Sequence, residues 1–414
     1  MALGNPLGSA LGAIGGIPTY IPTAVAGGTP DAITASFNPP LELWRNPVVA
    51  IGALYSNATT TPTLSTDGTQ ARTIVKGGSG TLIPYDIPGP NARMLFQYDS
   101  VNSKWQLLNP ATNGLGGTAR GYALGGTYDN INSQAVTSRY TFITDAASAL
   151  GATLGTAVWY QRGVNSGTVG YSLGGKLHNA GSSTTAIQGM TFSTELTYTS
   201  GAVLSNAQIY CTDVQTGLVG YIMSGSINDL ASFTTMIQKF TFAGEVQGAV
   251  SATVGTTEGY GGGVNSATNG YAMGGINNAM NAGQVNVQRL AFSNETCAAS
   301  GNNLTQTLSG SAATNSSTNG YTLGAGGGDA TPNTSAYSLT FSTEGVVAVT
   351  NILSTGRSTT TPMQSLVLGL TYGGGGYGTI ISGIAFATQS TFTSAAVVPS
   401  AITASAGCQN GGIY

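Results

Sequence analysis

A hexapeptide that returns every fifty residues governs what this 414-residue chain can fold into. Gly121-Tyr-Ala-Leu-Gly-Gly126 recurs as Gly170-Tyr-Ser-Leu-Gly-Gly175, Gly220-Tyr-Ile-Met-Ser-Gly225, Gly270-Tyr-Ala-Met-Gly-Gly275 and Gly320-Tyr-Thr-Leu-Gly-Ala325. A worn sixth copy is Gly369-Leu-Thr-Tyr-Gly-Gly374, and successive starts are 49, 50, 50, 50 and 49 residues apart. A second mark keeps step. Phe142, Phe192, Phe242, Phe292 and Phe341 follow each first glycine by 21 or 22 residues, and Phe386 follows the last by 17. Three residues beyond each Phe stands Asp145, Glu195, Glu245, Glu295, Glu344 or Gln389. Such a period means that each unit is one supersecondary element, which buries its apolar surface only against its neighbours.

Each unit reads as four short strands. One carries Tyr-x-Leu/Met, whose alternate side chains share a face, and a second carries the Phe, as in Met190-Thr-Phe192. The others read as apolar-small stretches such as Gly201-Ala-Val-Leu204 and Ala207-Gln-Ile-Tyr210. A turn such as Ala267-Thr-Asn-Gly270 leads into the next Tyr strand, Asn-Gly being favoured hairpin chemistry. Four strands in about fifty residues, one of them ending in Gly-Gly, resemble the kelch type of β-propeller. The Trp that follows the third strand in that family is missing, and the acidic residue after Phe stands roughly in its place. Residues 111–414 are therefore expected to form a six-bladed, kelch-like propeller in an all-β chain. Little precedes Gly121, whereas Ile402-Thr-Ala-Ser-Ala-Gly-Cys408 is left over at the far end. That C-terminal strand is expected to pair beside 121–126 and close the ring, removing the unpaired edges.

Composition narrows the function. Glycine supplies 62 residues, Lys and Arg only 12, Asp and Glu 15, and the net charge is −3. So few cations cannot neutralise many phosphates, which excludes nucleic acid as a partner. Ser, Thr, Asn and Gly must solvate the surface, and such a surface is nearly indifferent to salt. His178 is the single histidine, so a Ser-His-Asp triad needs it as base, and any site built on two His ligands is excluded. No metal and no cofactor is expected. Cys211, Cys297 and Cys408 lie far apart without CxxC spacing and read as small buried hydrophobes. Residues 1–30 contain no charge, so they lack the basic start of a secretion signal. Gly, Pro, Ser and Thr also interrupt them too often for a membrane span of ~20 apolar residues. They are expected to be an extended arm that lies in a groove on another protein.

Residues 31–110 do not share the repeat and read as a small β-sandwich-like domain. Its expected strands are 32–37, 48–51, 71–75, 94–98 and 104–108, the last two paired across the turn 99–103. Ala32-Ile-Thr-Ala-Ser-Phe, the Asp67-Gly68 turn, Ala71-Arg-Thr-Ile-Val-Lys-Gly-Gly78, Leu82-Ile-Pro-Tyr-Asp-Ile-Pro88 and Tyr98…Trp105-Gln-Leu-Leu-Asn-Pro110 occur in that order. The series resembles a β-domain found in tail-fibre and other virion proteins of tailed bacteriophages. In that family the domain connects a particle-attached arm to a distal recognition module. The resemblance implies a virion protein, assembled in the host cytoplasm and acting outside it. Residues 1–110 would contact other virion proteins, and the chain would be a homo-oligomer, trimers being the habit of tail fibres.

Candidate sites are few. Gly373-Gly-Gly-Gly376 lacks the GxxxxGK[S/T] pattern of a phosphate loop and is assigned to close packing of blades. The once-per-blade carboxylates should lie far apart, which excludes paired-carboxylate catalysis; they are expected to accept backbone N–H bonds in the turn after the Phe strand. A copper oxidase on a kelch ring needs two His ligands, and a sialidase needs Ser-x-Asp-x-Gly-x-x-Trp boxes and clustered arginines; neither pattern occurs. The stretches after the Gly-Gly pairs, 127–135, 176–184, 226–234, 276–284 and 326–335, vary most and emerge on one face of an up-and-down propeller. Tyr128, Asn130, His178, Asn179, Asp229, Asn277 and Asp329 lie in them and are the candidate ligand-binding residues, adaptable polar groups near an aromatic on a rigid ring. The leading expectation is a non-enzymatic tail-fibre or attachment protein whose loop face binds a host receptor, a glycan among the candidates. A purely structural spacer is the alternative, and a carbohydrate-active enzyme the third reading.

Overall fold

A computed structural model describes residues 21–410 apart from 55–56, 58, 60, 77–79, 83–86, 88–92, 109–118, 130, 143, 179–181, 228–231, 257, 278–281, 327–331, 351 and 375–377. Contacts divide the chain into two units, Met1–Gly117 and Thr118–Tyr414.

The first unit is a mixed sheet with one core. Its strands are Thr23–Val25, Gly27–Thr29, Ala32–Ala35, Val48–Gly52, Thr63–Thr66, Arg72–Lys76, Gly80–Thr81, Arg93–Asp99 and Lys104–Leu107, with a 3-10 turn at Leu43–Arg45. Arg93–Asp99 alternates strictly, so Met94, Phe96 and Tyr98 point inward, where Tyr98 and Phe96 meet Trp105 edge-on at 5.0 and 6.5 Å. Arg93–Asp99 pairs antiparallel with Lys104–Leu107, as the sequence suggests. Thr23–Val25 pairs with Val48–Gly52, and Gly27–Thr29 pairs with Ala32–Ala35 at the opposite end of the strand order. One short stretch thus supplies both ends of the strand path. Residues 23–29, expected in the arm, belong to this sheet; residues 1–20 of the arm lie outside the described residues.

The second unit is a six-bladed β-propeller. Blade 2 shows the plan: Arg162–Asn165 innermost, then Val169–Leu173, Ala186–Thr191 and Leu196–Val203, each antiparallel to the last. The innermost strands of blades 3 to 6 are Thr212–Gln215, Gly262–Asn265, Ala312–Asn315 and Thr361–Gln364. Blade 1 takes its inner strand from the C-terminus. Ala406–Gln409 pairs antiparallel with Arg120–Thr127 in the register Gly121↔Gln409 to Leu124↔Ala406, which is the expected closure.

Two local expectations are corrected. Residues 207–210 form no regular strand, because the chain must first cross from the rim of one blade to the axis of the next; the inner strand begins at Thr212. The tight turn before the Tyr strand is Ser266–Asn269, closed by the Ser266 N–H on the Asn269 carbonyl at 2.8 Å, with the Ser266 hydroxyl accepting the Asn269 N–H at 3.0 Å. Asn269-Gly270 therefore starts the strand, and serine rather than Asn-Gly makes the turn.

The repeat marks are the cement between blades. The motif tyrosine of each of the first five blades stacks on the motif Phe of the next: Tyr122 on Phe192, Tyr171 on Phe242, Tyr221 on Phe292, Tyr271 on Phe341 and Tyr321 on Phe386, at 5.2 to 5.7 Å. In the first four the hydroxyl then reaches that blade's carboxylate, Tyr122 to Glu195 at 3.1 Å, Tyr171 to Glu245 at 3.3 Å, Tyr221 to Glu295 at 3.1 Å and Tyr271 to Glu344 at 3.2 Å, while Tyr321 donates to the Phe386 carbonyl at 3.4 Å. Basic side chains join three of these staples: Arg120 and Arg139 on Glu195, Lys239 on Glu295, Arg289 on Glu344. The glutamates are structural, but their partners are side chains of the preceding blade rather than the backbone N–H groups of their own turn. In the last seam Tyr372 donates to Ser138 at 3.0 Å, and Asp145 accepts the Ala395 N–H at 3.2 Å. The glycine before each tyrosine has a reason too: a Cβ on Gly170 would lie 2.6 Å from Cβ of Cys408.

Candidate ligand-binding face

One residue per blade, placed just before the inner strand, adopts the left-handed conformation: Tyr160, Tyr210, Tyr260, Gly310, Thr359 and Ala404, with φ from 50 to 66°. Each donates its backbone N–H to the carbonyl of the member before it. The bonds run from Tyr210 to Tyr160 (3.3 Å), Tyr260 to Tyr210 (2.6 Å), Gly310 to Tyr260 (2.8 Å), Thr359 to Gly310 (2.7 Å), Ala404 to Thr359 (2.9 Å) and Tyr160 back to Ala404 (2.9 Å). Six backbone bonds thus make a closed belt around the axis. Left-handed φ costs an L-residue roughly 1–2 kcal/mol, which the belt must offset at five of its six members.

A second belt lies at the other end of the same strands. The Asn165 N–H donates to Gln215 Oε1 (2.7 Å), Gln215 to Asn265 Oδ1 (3.0 Å), Asn265 to Asn315 Oδ1 (3.4 Å), Asn315 to Gln364 Oε1 (2.7 Å), and Gln409 to Asn165 Oδ1 (3.3 Å). Between the belts the axis holds a cavity of about 30 Å³, lined by Asn165, Asp213, Gln215 and Asn315 among others. That is room for one or two waters and far below the ~300 Å³ of a small-molecule pocket. Burial raises the Asp213 carboxyl above its usual range, with Arg162 Nε 3.8 Å away opposing the shift.

The backbone belt sits on the face that carries the variable loops. Trp159, beside Tyr160, exchanges two backbone bonds with Lys176, the first residue of the blade 2 loop (3.1 and 2.7 Å), and Ile209 does the same with Ser226. Three of the belt residues are tyrosines, and they gather over the end of the axis. Tyr160 packs on Tyr210 at 4.3 Å and on Trp159 at 4.4 Å, while Tyr260 lies 4.1 Å from Tyr210 and 5.5 Å from Tyr160. Trp159 and Tyr210 are buried, whereas Tyr160 and Tyr260 keep part of their surface in solvent. The Lys176 ammonium lies 5.4 Å from the Trp159 ring, and Trp159 Nε1 is buried without a hydrogen-bond partner among the described residues. Burial beside two other phenols pushes the Tyr260 hydroxyl well above its ordinary value, so it stays a proton donor.

Three of the seven loop candidates can be placed. Tyr128 is half-buried against the blade 6–blade 1 core, His178 is exposed in a bend, and Asn277 ends a strand with its Oδ1 on the Ala282 N–H at 3.3 Å. Asn130, Asn179, Asp229 and Asp329 lie outside the described residues. The blade 1 loop is fixed from within by Asp129, whose carboxylate accepts the Ile131 and Asn132 N–H groups at 3.0 and 2.7 Å. Those bonds lower its carboxyl to about 2. Sequence reasoning missed the aromatic cluster, although Tyr160, Tyr210 and Tyr260 recur at the repeat spacing. Of the cysteines, Cys211 and Cys408 are buried and Cys297 is half-buried. Among the described residues no three His, Cys, Asp or Glu side chains gather as a metal site, and no helix is long and apolar enough to cross a membrane. Comparison with protein-family models and with curated proteins returns no match.

Proposed function

We propose that this chain is a non-enzymatic attachment protein of a bacteriophage particle, and that the loop face of its propeller binds a surface glycan of the host. The observation that carries this reading is the cluster of Trp159, Tyr160, Tyr210 and Tyr260 at the centre of that face. Aromatic faces suit the apolar faces of sugar rings, and the surrounding Asn-, Ser- and Gly-rich loops suit their hydroxyls. Tyr160 and Tyr260 offer the part of the cluster that solvent reaches, backed by the buried Trp159 and Tyr210. The axial cavity is too small for a sugar, so binding belongs on the face. The first 110 residues supply the virion side of the proposal through their likeness to phage connector domains.

The test is binding of the full chain to an array of bacterial surface glycans, with and without the paired changes Tyr160→Ala and Tyr260→Ala. The expected result is saturable binding that the double variant weakens at least tenfold, about 1.4 kcal/mol, while it still melts in one cooperative transition above the assay temperature. Equal binding by a correctly folded double variant would overturn the site.

A further inference from the structure

Two residues before each left-handed belt residue, the crossing chain buries one side chain between successive blades. The six residues are Val158, Gln208, Glu258, Leu308, Arg357 and Ile402, all at most 6% exposed. Three of them are apolar and need no partner. Gln208 donates to the Ser224 carbonyl at 3.0 Å and accepts from Gln238 Nε2, and Glu258 accepts from Asn286 at 2.8 Å and from the Thr256 hydroxyl. Arg357 is different. It is 1% exposed, and its Nε and Nη2 are buried without a hydrogen-bond partner among the described residues.

Arginine cannot escape this by losing its proton, and enclosing one edge of a guanidinium without acceptors is costly. The surroundings are polar in the same unfinished way. Where Gln238 pairs with Ile222 in blade 3, blade 6 has Ser382 paired with Thr371. Gln238 is the residue that meets Gln208, so Ser382 stands where a partner for Arg357 belongs, and it is shorter. The Ser382 and Thr371 hydroxyls are both fully buried and both without a partner. By this equivalence one seam sets the unpaired edge of Arg357 towards two hydroxyls without partners, and serine stands where blades 2, 3 and 4 have the bulkier glutamine. Nε and Nη2 form one edge of the guanidinium, the edge that takes two oxygens at once.

We infer that the seam between blades 5 and 6 is an anion site, in which the Nε/Nη2 edge of Arg357 and the hydroxyls of Thr371 and Ser382 hold a small oxyanion of the carboxylate or sulfate class. The bound group neutralises Arg357 and completes the packing of the seam, so it stabilises the ring wherever the free ion is present.

The experiment is thermal unfolding of the full chain in sodium formate and in sodium sulfate, each titrated against sodium fluoride at constant ionic strength. The expected result is a saturable rise of about 3 °C or more for the wild type. Arg357→Met should abolish the rise and should melt no lower than the wild type in fluoride alone, since it replaces an unpaired ion by an apolar chain of similar length. Should that variant fail to fold, the paired change Thr371→Val and Ser382→Ala serves instead, keeping the charge and shifting the midpoint of the rise to at least fivefold higher anion. A wild type indifferent to the anion, or an equal rise in Arg357→Met, would overturn the inference.

Discussion

Asn165 Oδ1 accepts the backbone N–H of Gln409 at 3.3 Å, although 244 positions separate the two residues. The bond joins the first inner strand that the chain lays down within the propeller to the last. The same C-terminal segment also supplies Ala404 to the backbone belt, where it donates to Thr359 and accepts from Tyr160. Residues 404–409 thus close the backbone belt and blade 1, and Gln409 ties them to Asn165 of the second belt. A propeller of strands alone would be held at this seam by one hairpin edge; here the cyclic backbone belt and the Asn165–Gln409 bond close with it.

The staples between blades should rank by the charge they engage. Glu195 holds Arg120, Arg139 and Tyr122, whereas among the described residues Glu245 holds the hydroxyls of Tyr171 and Tyr198 and no cation. Charge-assisted bonds contribute about 1.5–3 kcal/mol each when buried, and the partial exposure of both arginines reduces this. Glu195→Ala should cost about 2–3 kcal/mol in urea unfolding and Glu245→Ala about 1–2 kcal/mol. Equal costs would mean that the arginines contribute nothing.

Substitutions in the backbone belt should have opposite signs at equivalent positions. Ala404 has φ 56° and Gly310 has φ 66°. Ala404→Gly should raise stability by about 0.5–1 kcal/mol, the relief of left-handed strain less the added freedom of the unfolded chain. Gly310→Ala should lower stability by about 1 kcal/mol or more, since its Cβ would also meet the Thr359 nitrogen at 3.2 Å. Calorimetric melting of the two variants decides the matter.

Acid should act oppositely on two carboxyl groups. Burial raises Glu258 above its ordinary 4.5, with the bonds from Thr256 and Asn286 opposing the shift. The folded protein then binds the proton more tightly than the unfolded chain, so the contribution of Glu258 is most favourable below pH 4.5 and is lost as pH rises through the folded value. Glu258→Gln should therefore melt above the wild type at pH 7, and the gap should narrow towards pH 4. Burial also works against ionisation of Asp145, but bonds from Ser394, Tyr140 and Ala395 outweigh it and hold the carboxyl below 3.8. Its contribution is present above pH 3.8 and disappears as pH falls through the folded value, so Asp145→Asn should melt lower at pH 7 and level with the wild type at pH 2. Melting curves of both variants from pH 2 to 8 test the pair.

Much of the propeller is legible in the sequence because its cement repeats in residue type. Tyr171 and Phe242 lie in neighbouring units at fixed places, and a ring of identical units forces them together. The need for a closing strand follows from counting, since Gly121 lacks the strand that precedes every other motif. The belts are harder to see. One consists of backbone groups whose left-handed members are tyrosine, threonine and alanine, none of which advertises such a conformation. The other is built from three Asn and three Gln residues in no fixed order, and each amide meets its partner only once the ring exists. Arg357 stands out only against its equivalents Val158, Gln208, Glu258, Leu308 and Ile402, which share no residue type and are matched only by the ring. The candidate loop residues stand out by variation and polar chemistry, which identify a face and not a site; the aromatic cluster on that face comes from the axis-proximal ends of the blades.

The central claim is that residues 404–409 close the ring and that closure holds all six blades. Scanning calorimetry of the full chain beside a chain lacking residues 400–414 tests it most directly. The account predicts that the truncated chain loses the cooperative propeller transition, aggregating or melting without one. A soluble truncated chain whose propeller melts at the wild-type temperature with the wild-type enthalpy would contradict it.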